Sequence, residues 1–425
     1  MDFALTEDQR QLSEVARAFA EREFPKAAGA CDREETSPRE IWEKAGQRGL
    51  MGTFIAREYG GKGMGFLEHA MVTEAFWRVD PGIGNILLAV FGAEILGAFG
   101  TEAQKRKYLP PLAQGQAICG CAITEPNAGS DIFAMTSHAE KREQGYVING
   151  SKQFISNGTI ADFLLVLCIT NPDAEKATER YSFFAVETNR KGFLAQKLKG
   201  KLGIRASDTA ELSFNDVRVP EENLIGMKEG HGFPQVMYLF NINRVVAAAQ
   251  GVGVAQGAFD QTLVYLKKRR QFGGPLACMQ ALQFKIAEMA ARIEGARTLY
   301  QKAAWSMDHG DFDHRLISIA KLVAGETAVS VTGEAVRLHG GYGCTDRYDV
   351  ARFYRDAKVV EIYEGAKEIE KITRMIAEME DYEREVLYPL ATEQVEIDLD
   401  DGVKVNYPKL GAALKKIVGL DAKED

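Results

Sequence analysis

The chain has 425 residues, 46% of them hydrophobic and 26% charged, and a net charge of −8. This composition predicts a soluble globular protein with a core of ordinary size, and the acidic balance offers nucleic acid no basic field. Six dispersed cysteines without a C-x-x-C pair, and no histidine cluster, predict a reducing cytosol, no disulfide framework and no metal.

The N-terminus, MDFALTEDQRQ, has no basic flank and no continuous apolar core, so no secretory signal is expected. LTEDQRQLSEVARAFAEREF reads as a helix, with Thr6 as N-cap and Glu7 and Asp8 favourable in its first turn. The stretch Pro81 to Gly100 is long enough for a membrane span. It carries Asn85, Glu94 and five glycines, so it is expected to be a buried helical segment. FGTEAQKRKYLPPL predicts a short helix stopped by Pro110 and Pro111.

From about Cys121 the texture changes. The Asn149-Gly150 and Asn157-Gly158 pairs predict hairpin turns. The segments 163–170, 181–188 and 209–219 predict further strands of an antiparallel sheet. From Gly232 helical periodicity returns and lasts to about Glu380, with Ile286, Met289, Ile293, Ala296 and Tyr300 at bundle-seam spacing. Beyond it, VEIDL and VKVNY flank Asp401-Gly402 as a hairpin, and KLGAALKKIVGL predicts a last helix.

Five stretches carry chemistry: CAITEPNAGSD (121–131), NGSKQFISNG (149–158), KKRRQFGGPL (267–276), RLHGGYG (337–343) and IYEGA (362–366). Each alone has a simpler reading. The first is a polar turn whose small residues would also let a flat ring approach the backbone. The Lys267–Arg270 run is a solvated helix end that could also hold phosphate. The histidines share no spacing with a Ser or Cys nucleophile, so histidine-based nucleophilic catalysis is not expected.

Together and in this order, over about residues 1 to 380, these motifs resemble the FAD-dependent acyl-CoA dehydrogenase family. The resemblance implies a mainly α fold with a central β-domain. Its parts would be an N-terminal helical domain (1–120), a small antiparallel β-barrel-like domain (121–231) and a C-terminal four-helix bundle (232–380), with 381–425 an extension. It implies that Cys121, Ile123, Thr124, Gly129, Ile155 and Ser156 line the flavin, that Phe154 covers its far face, and that Ser156 replaces the usual Thr. Arg269 and Gln280 would serve the FAD of a neighbouring subunit, which implies a homotetramer. Arg337, which replaces the usual Gln, would contact the dinucleotide with Gly340, Gly341, Ala366 and Glu368. His339 in the same turn is read as packing. Ser130, Asn241 (for the usual Asp), Arg244 and Gly365 would contact the acyl-CoA substrate, although Arg244 also reads as an ordinary helix-surface arginine.

The resemblance also implies a catalytic base. The family places its carboxylate either in the YEG turn or just before the arginine of the long helix. That second position is Asn243 here, so Glu364 is the base. It would take the α-proton while the β-hydride passes to flavin N5, giving a 2-enoyl-CoA. Electrons would pass to an electron-transferring flavoprotein, in cytoplasmic fatty or carboxylic acid degradation. An acyl-CoA oxidase, an enoyl-CoA reductase of the same fold, or a non-enzymatic binding module are the alternatives. The segment Asn85 to Leu96, expected to line the acyl pocket, carries no Arg for a terminal carboxylate, which disfavours dicarboxylic acyl groups.

Overall fold

The computed structural model describes residues 4–366, 368–371, 396–398 and 404–406. They fall into two compact units, Met1–Ala366 and Lys367–Asp425. The first unit opens with α1 (Glu7–Glu23), α2 (Ala28–Glu34), α3 (Arg39–Gln47), α4 (Phe66–Val79), α5 (Pro81–Gly84), α6 (Ala93–Phe99) and α7 (Glu102–Ala113). Thr6 closes a capping box on α1: its hydroxyl accepts from Gln9 N, and Gln9 Oε1 accepts from Thr6 N. A 3-10 turn, Asn85–Ala89, separates α5 from α6, so the apolar stretch is three short buried pieces and no continuous helix.

One expectation fails in α7, which runs through Pro110 and Pro111 to Ala113. Proline removes an intrahelical donor, but its φ is helical. Burial of Leu109, Leu112 and Ala113 outweighs the lost bonds, and Gln114 N still donates to Pro110 O at 3.1 Å.

The sheet comprises β1 (Cys119–Ala122), β2 (His138–Arg142), β3 (Gly145–Ser156), β4 (Phe163–Ile169), β5 (Tyr181–Glu187), β6 (Phe193–Lys197) and β7 (Thr209–Val219). Its order is β1-β4-β2-β3-β7-β6, with β5 also paired to β4. The sheet is not purely antiparallel, because β1 and β2 both pair with β4 in parallel. Nor does Asn149-Gly150 make a hairpin. It lies inside β3 as a bulge where the register against β7 shifts. Gly150 has φ +143°, and a Cβ there would meet Ser137 Oγ at 2.3 Å. Asn149 exchanges two bonds with Asp216, accepting from its N at 2.8 Å and donating to Oδ1 at 3.1 Å. Asn157-Gly158 does open a turn, after β3 ends.

The third region holds α8 (Gly232–Lys268), a two-stranded ribbon of β8 (Arg270–Gln271) and β9 (Gly274–Pro275), α9 (Gln280–Asp308), α10 (His314–Leu338) and α11 (Val350–Ala357). The predicted seam holds: Met289, Ile293, Ala296 and Tyr300 are buried and Ile286 packs at its edge. Asn241 and Arg244 lie well inside α8, whose buried Val236 and Leu239 extend its apolar face upstream of them. Among the described residues α10 is long and apolar enough to cross a membrane, and 61% of its apolar window is buried, as in a bundle core. In the second unit, β10 (Glu396–Asp398) pairs antiparallel with β11 (Lys404–Asn406). The expected Asp401-Gly402 turn, the last helix and the end of the bundle lie outside the described residues.

Candidate active site

Glu364 sits just after the 3-10 segment Lys358–Glu361, with φ +52°, followed by Gly365 at φ +100°. A left-handed glutamate costs energy that a glycine does not, so its surroundings must hold it there. The turn is held on both flanks. Lys321 Nζ donates to Gly365 O, and the Tyr363 hydroxyl donates to Gln250 Oε1. Glu364 Oε2 is shielded from solvent and has no hydrogen-bond partner among the described residues. Burial pushes this carboxyl up to about 7, against the pull of the Lys321 and Arg244 charges. A carboxylate so placed takes and releases a proton near neutrality.

Asn243 is confined to helix-backbone bonding, its amide donating to Leu239 O at 3.0 Å. Arg244 is buried, not on the helix surface, and Nη1 donates to Asn241 Oδ1 at 3.3 Å. His314 Nδ1 lies 3.1 Å from the same oxygen. Burial and the Arg244 charge push this imidazole down, so it is neutral at physiological pH.

A second buried carboxyl feels the charge of Glu364. Glu94, in the first turn of α6, is 5% exposed and accepts from Gly92 N at 2.9 Å. Burial pushes it up to about 7, and the negative charge of Glu364 adds to that rise. Raised carboxyl values make the protein less stable as pH climbs from the ordinary carboxylate range through about 7, where the buried groups must ionise. Below that range they are protonated whether folded or not. Glu94→Gln should therefore stabilise the protein by about 3 kcal/mol near pH 8 and leave it unchanged near pH 4. Thermal unfolding across this window checks it, and an equal gain at both ends would refute the assignment.

The expected flavin-lining residues converge on β1 and β3. Cys121 and Ile123 are buried at and after β1, and Thr124 O accepts from Gln153 N at 2.9 Å. Phe154 is 64% exposed with φ +60°, presenting its ring outward between that bond and Ser156. Ile155 is buried; Gly129 and Ser130 are exposed, with open space where a Gly129 Cβ would stand. The charge of Glu364 is felt at Cys121, which ties the YEG turn to this surface. Beneath it, Lys152 is 1% exposed and donates to Ile123 O at 2.9 Å and Glu125 Oε1 at 3.0 Å. Burial opposes ionisation of Glu125, but Lys152 and the donors on Thr136 and Ser137 hold it at about 2. Burial pushes Lys152 down. The Glu125 charge and its hydrogen bond oppose that fall, and Glu125 also accepts from Thr136 and Ser137.

Arg269, Arg337, Gly340 and Gly341 line one cavity of about 490 Å³ with Tyr265, His339 and Tyr342. Open space surrounds both glycines where a Cβ would stand. Arg269 lies 5.7 Å from the Tyr342 ring centroid, and Arg337 is paired to Glu334 three residues earlier. His339 packs against the Tyr265 ring at 4.2 Å and bonds Ala335 O through Nδ1. Gln280 stands exposed at the start of α9, outside this lining. Ala366 ends the first unit, and Glu368 is exposed in the second. Gln250, Lys321 and Lys152 were not singled out in the sequence, and Glu94 and His314 were given no part in the site. The one available signal was a lone glutamine in the small, apolar run VVAAAQGVGVA of α8.

These residues fit a flavin dinucleotide. The exposed Phe154 and the glycines without Cβ neighbours leave a flat approach, and two arginines face a cavity of suitable size for the pyrophosphate side. Among the described residues no group of His, Cys, Asp and Glu is arranged to hold a metal.

Three sequence profiles match in order: acyl-CoA dehydrogenase N-terminal domain over residues 6–116, middle domain over 120–217 and C-terminal domain over 230–379. A short-chain-specific acyl-CoA dehydrogenase of Clostridium acetobutylicum is 44% identical over 374 residues, covering 88% of this chain and 98% of the relative. An acryloyl-CoA reductase (NADH) of Anaerotignum propionicum is 40% identical over 375 residues, covering 88% and 94%. The butyryl-CoA dehydrogenase structure of Megasphaera elsdenii superposes with a TM-score of 0.85 at 37% identity, covering 89% of this chain and 100% of the other. The chain is a member of the acyl-CoA dehydrogenase family, an oxidoreductase with FAD as its cofactor.

Proposed function

We propose that this enzyme removes the α-proton and β-hydride of a short acyl-CoA thioester, with Glu364 as the base. The observation that carries this reading is the solvent-shielded, raised carboxyl of Glu364, held in a left-handed turn whose charge is felt at Cys121. Arg244 and Lys321 keep that carboxyl within reach of ionisation at neutral pH. Arg244 and Asn241 are the groups available to position the CoA portion, and Ser130 stands exposed for the same task. The Glu364 backbone N–H is the donor assigned to the thioester oxygen, where charge develops as the proton leaves. Cys121, Ile123, Thr124, Phe154, Ile155 and Ser156 would hold the isoalloxazine, and Arg269, Arg337, Gly340 and Gly341 the dinucleotide. When bound, FAD supplies the hydride acceptor.

The names of the relatives favour short acyl groups, and the absence of an arginine from 85–96 speaks against dicarboxylic ones. An electron-transferring flavoprotein in the cytoplasm is the acceptor assigned. The homotetramer expected for the family is supported by Phe272, 98% exposed three residues beyond Arg269, and by the exposed Phe284. A second reading, reduction of an enoyl-CoA, is favoured by the acryloyl-CoA reductase relative.

Anaerobic mixing tests the choice. The purified protein should be yellow with one FAD per subunit, and butyryl-CoA should bleach it. An electron-transferring flavoprotein should then restore the colour faster than air does. Failure of every saturated acyl-CoA to bleach the flavin, with reoxidation of the reduced enzyme by enoyl-CoA, would establish the reductase instead.

A further inference from the structure

Gln250 stands mid-helix in α8 at a position surrounded by small and apolar residues, and it is buried. A primary amide there is unfavourable unless both of its ends are bonded, and alanine would serve the helix better. Both ends are bonded, and to functionally placed groups. Oε1 accepts from the Tyr363 hydroxyl, and Nε2 donates to Asn85 Oδ1 at 3.4 Å. Tyr363 immediately precedes Glu364. Asn85 begins the 3-10 turn of the expected acyl-pocket wall. The close approach that permits this is built into α8: a Cβ on Gly251 would meet Ala324 O at 2.8 Å and Val360 Cγ1 at 3.2 Å. The helix is thus pressed against α10 and against the segment that leads into the YEG turn.

We infer that Gln250 is a positioning residue: oriented by Asn85, it anchors Tyr363 and thereby holds the left-handed turn that aims the Glu364 carboxyl. This rests on the reading of Glu364 as base. Lys321 on Gly365 O is the second anchor, on the far side of the glutamate. The two anchors act at different points. Lys321 contributes charge as well as a bond, whereas Gln250 contributes position alone, so its removal isolates geometry from electrostatics. The charged groups facing Glu364 are Lys321, Arg244 and Glu94, and none is altered by changing Gln250.

The test is a set of variants of the FAD-loaded enzyme: Gln250→Leu, Tyr363→Phe, the double variant and Glu364→Gln. Gln250→Leu should keep its FAD and its half-saturating acyl-CoA concentration. Its limiting rate of flavin bleaching should fall by roughly ten- to a hundredfold, the cost of a displaced reacting group. The pH midpoint of bleaching should also move, because a displaced carboxyl meets a different balance of burial and neighbouring charge. Tyr363→Phe should show the same two changes, and the double variant should be no worse than either single one. Tyr363→Phe removes a single oxygen, so it carries the test even where Gln250→Leu folds poorly. Wild-type rate and pH midpoint in Tyr363→Phe, beside an inactive Glu364→Gln, would overturn the positioning role alone. A fast Glu364→Gln would remove the base, and this inference with it.

Discussion

Glu364→Gln is expected to retain FAD and to bind substrate analogues, yet to bleach with acyl-CoA more slowly by at least roughly 10²–10⁴-fold. The amide keeps the shape and the bonding of the turn but cannot accept the α-proton. Glu364→Asp should fall between, because a shorter arm draws the charge away from the α-carbon. In the wild-type enzyme the bleaching rate should rise with pH through about 7, since only the ionised carboxylate acts and burial holds its value there. Stopped-flow absorbance across pH reads all of these. A Glu364→Gln enzyme that bleaches at close to the wild-type rate would take Glu364 out of the mechanism.

Lys152→Met should cost about 3–5 kcal/mol of stability, as expected for removing one partner of a buried ion pair. Lys152 and Glu125 are both almost wholly buried, so solvent cannot replace the lost partner. Glu125 would keep its bonds from Thr136 and Ser137 but not its counter-charge. The loss should also weaken FAD binding, because Lys152 fixes the Ile123 carbonyl within the flavin-facing loop. Replacing both partners, Lys152→Met with Glu125→Gln, should recover part of the stability. Chemical denaturation with flavin fluorescence measures both effects. A loss below about 1 kcal/mol, the range of an exposed pair, would show that water reaches this site.

Much of this molecule was determined by local sequence. The α1 capping box needs only Thr6 and Gln9. The bundle seam follows from the spacing of Met289, Ile293, Ala296 and Tyr300, whose burial is set by helical period. The helix break at the YEG turn follows from Gly365, a poor helix former that takes φ +100° without steric cost. These are short-range signals, and short-range physics suffices to read them.

Other features were decided only by tertiary structure. Asn149-Gly150 has the sequence of a hairpin turn but became a bulge, because β7 lies alongside and Asp216 bonds Asn149 across the ladder. Two prolines did not stop α7, because the core covers the residues around them. The parallel pairing of β1 with β4 joins residues more than forty positions apart, and no local alternation encodes strand direction. The same holds for the chemistry. A carboxylate in the YEG turn is visible in the sequence, but its raised proton affinity is not. That is set by burial under distant segments, opposed by the charges of Lys321 and Arg244 from two other helices. Gln250 reaches Tyr363 across 113 positions of chain, so only packing could bring the amide to the turn it supports.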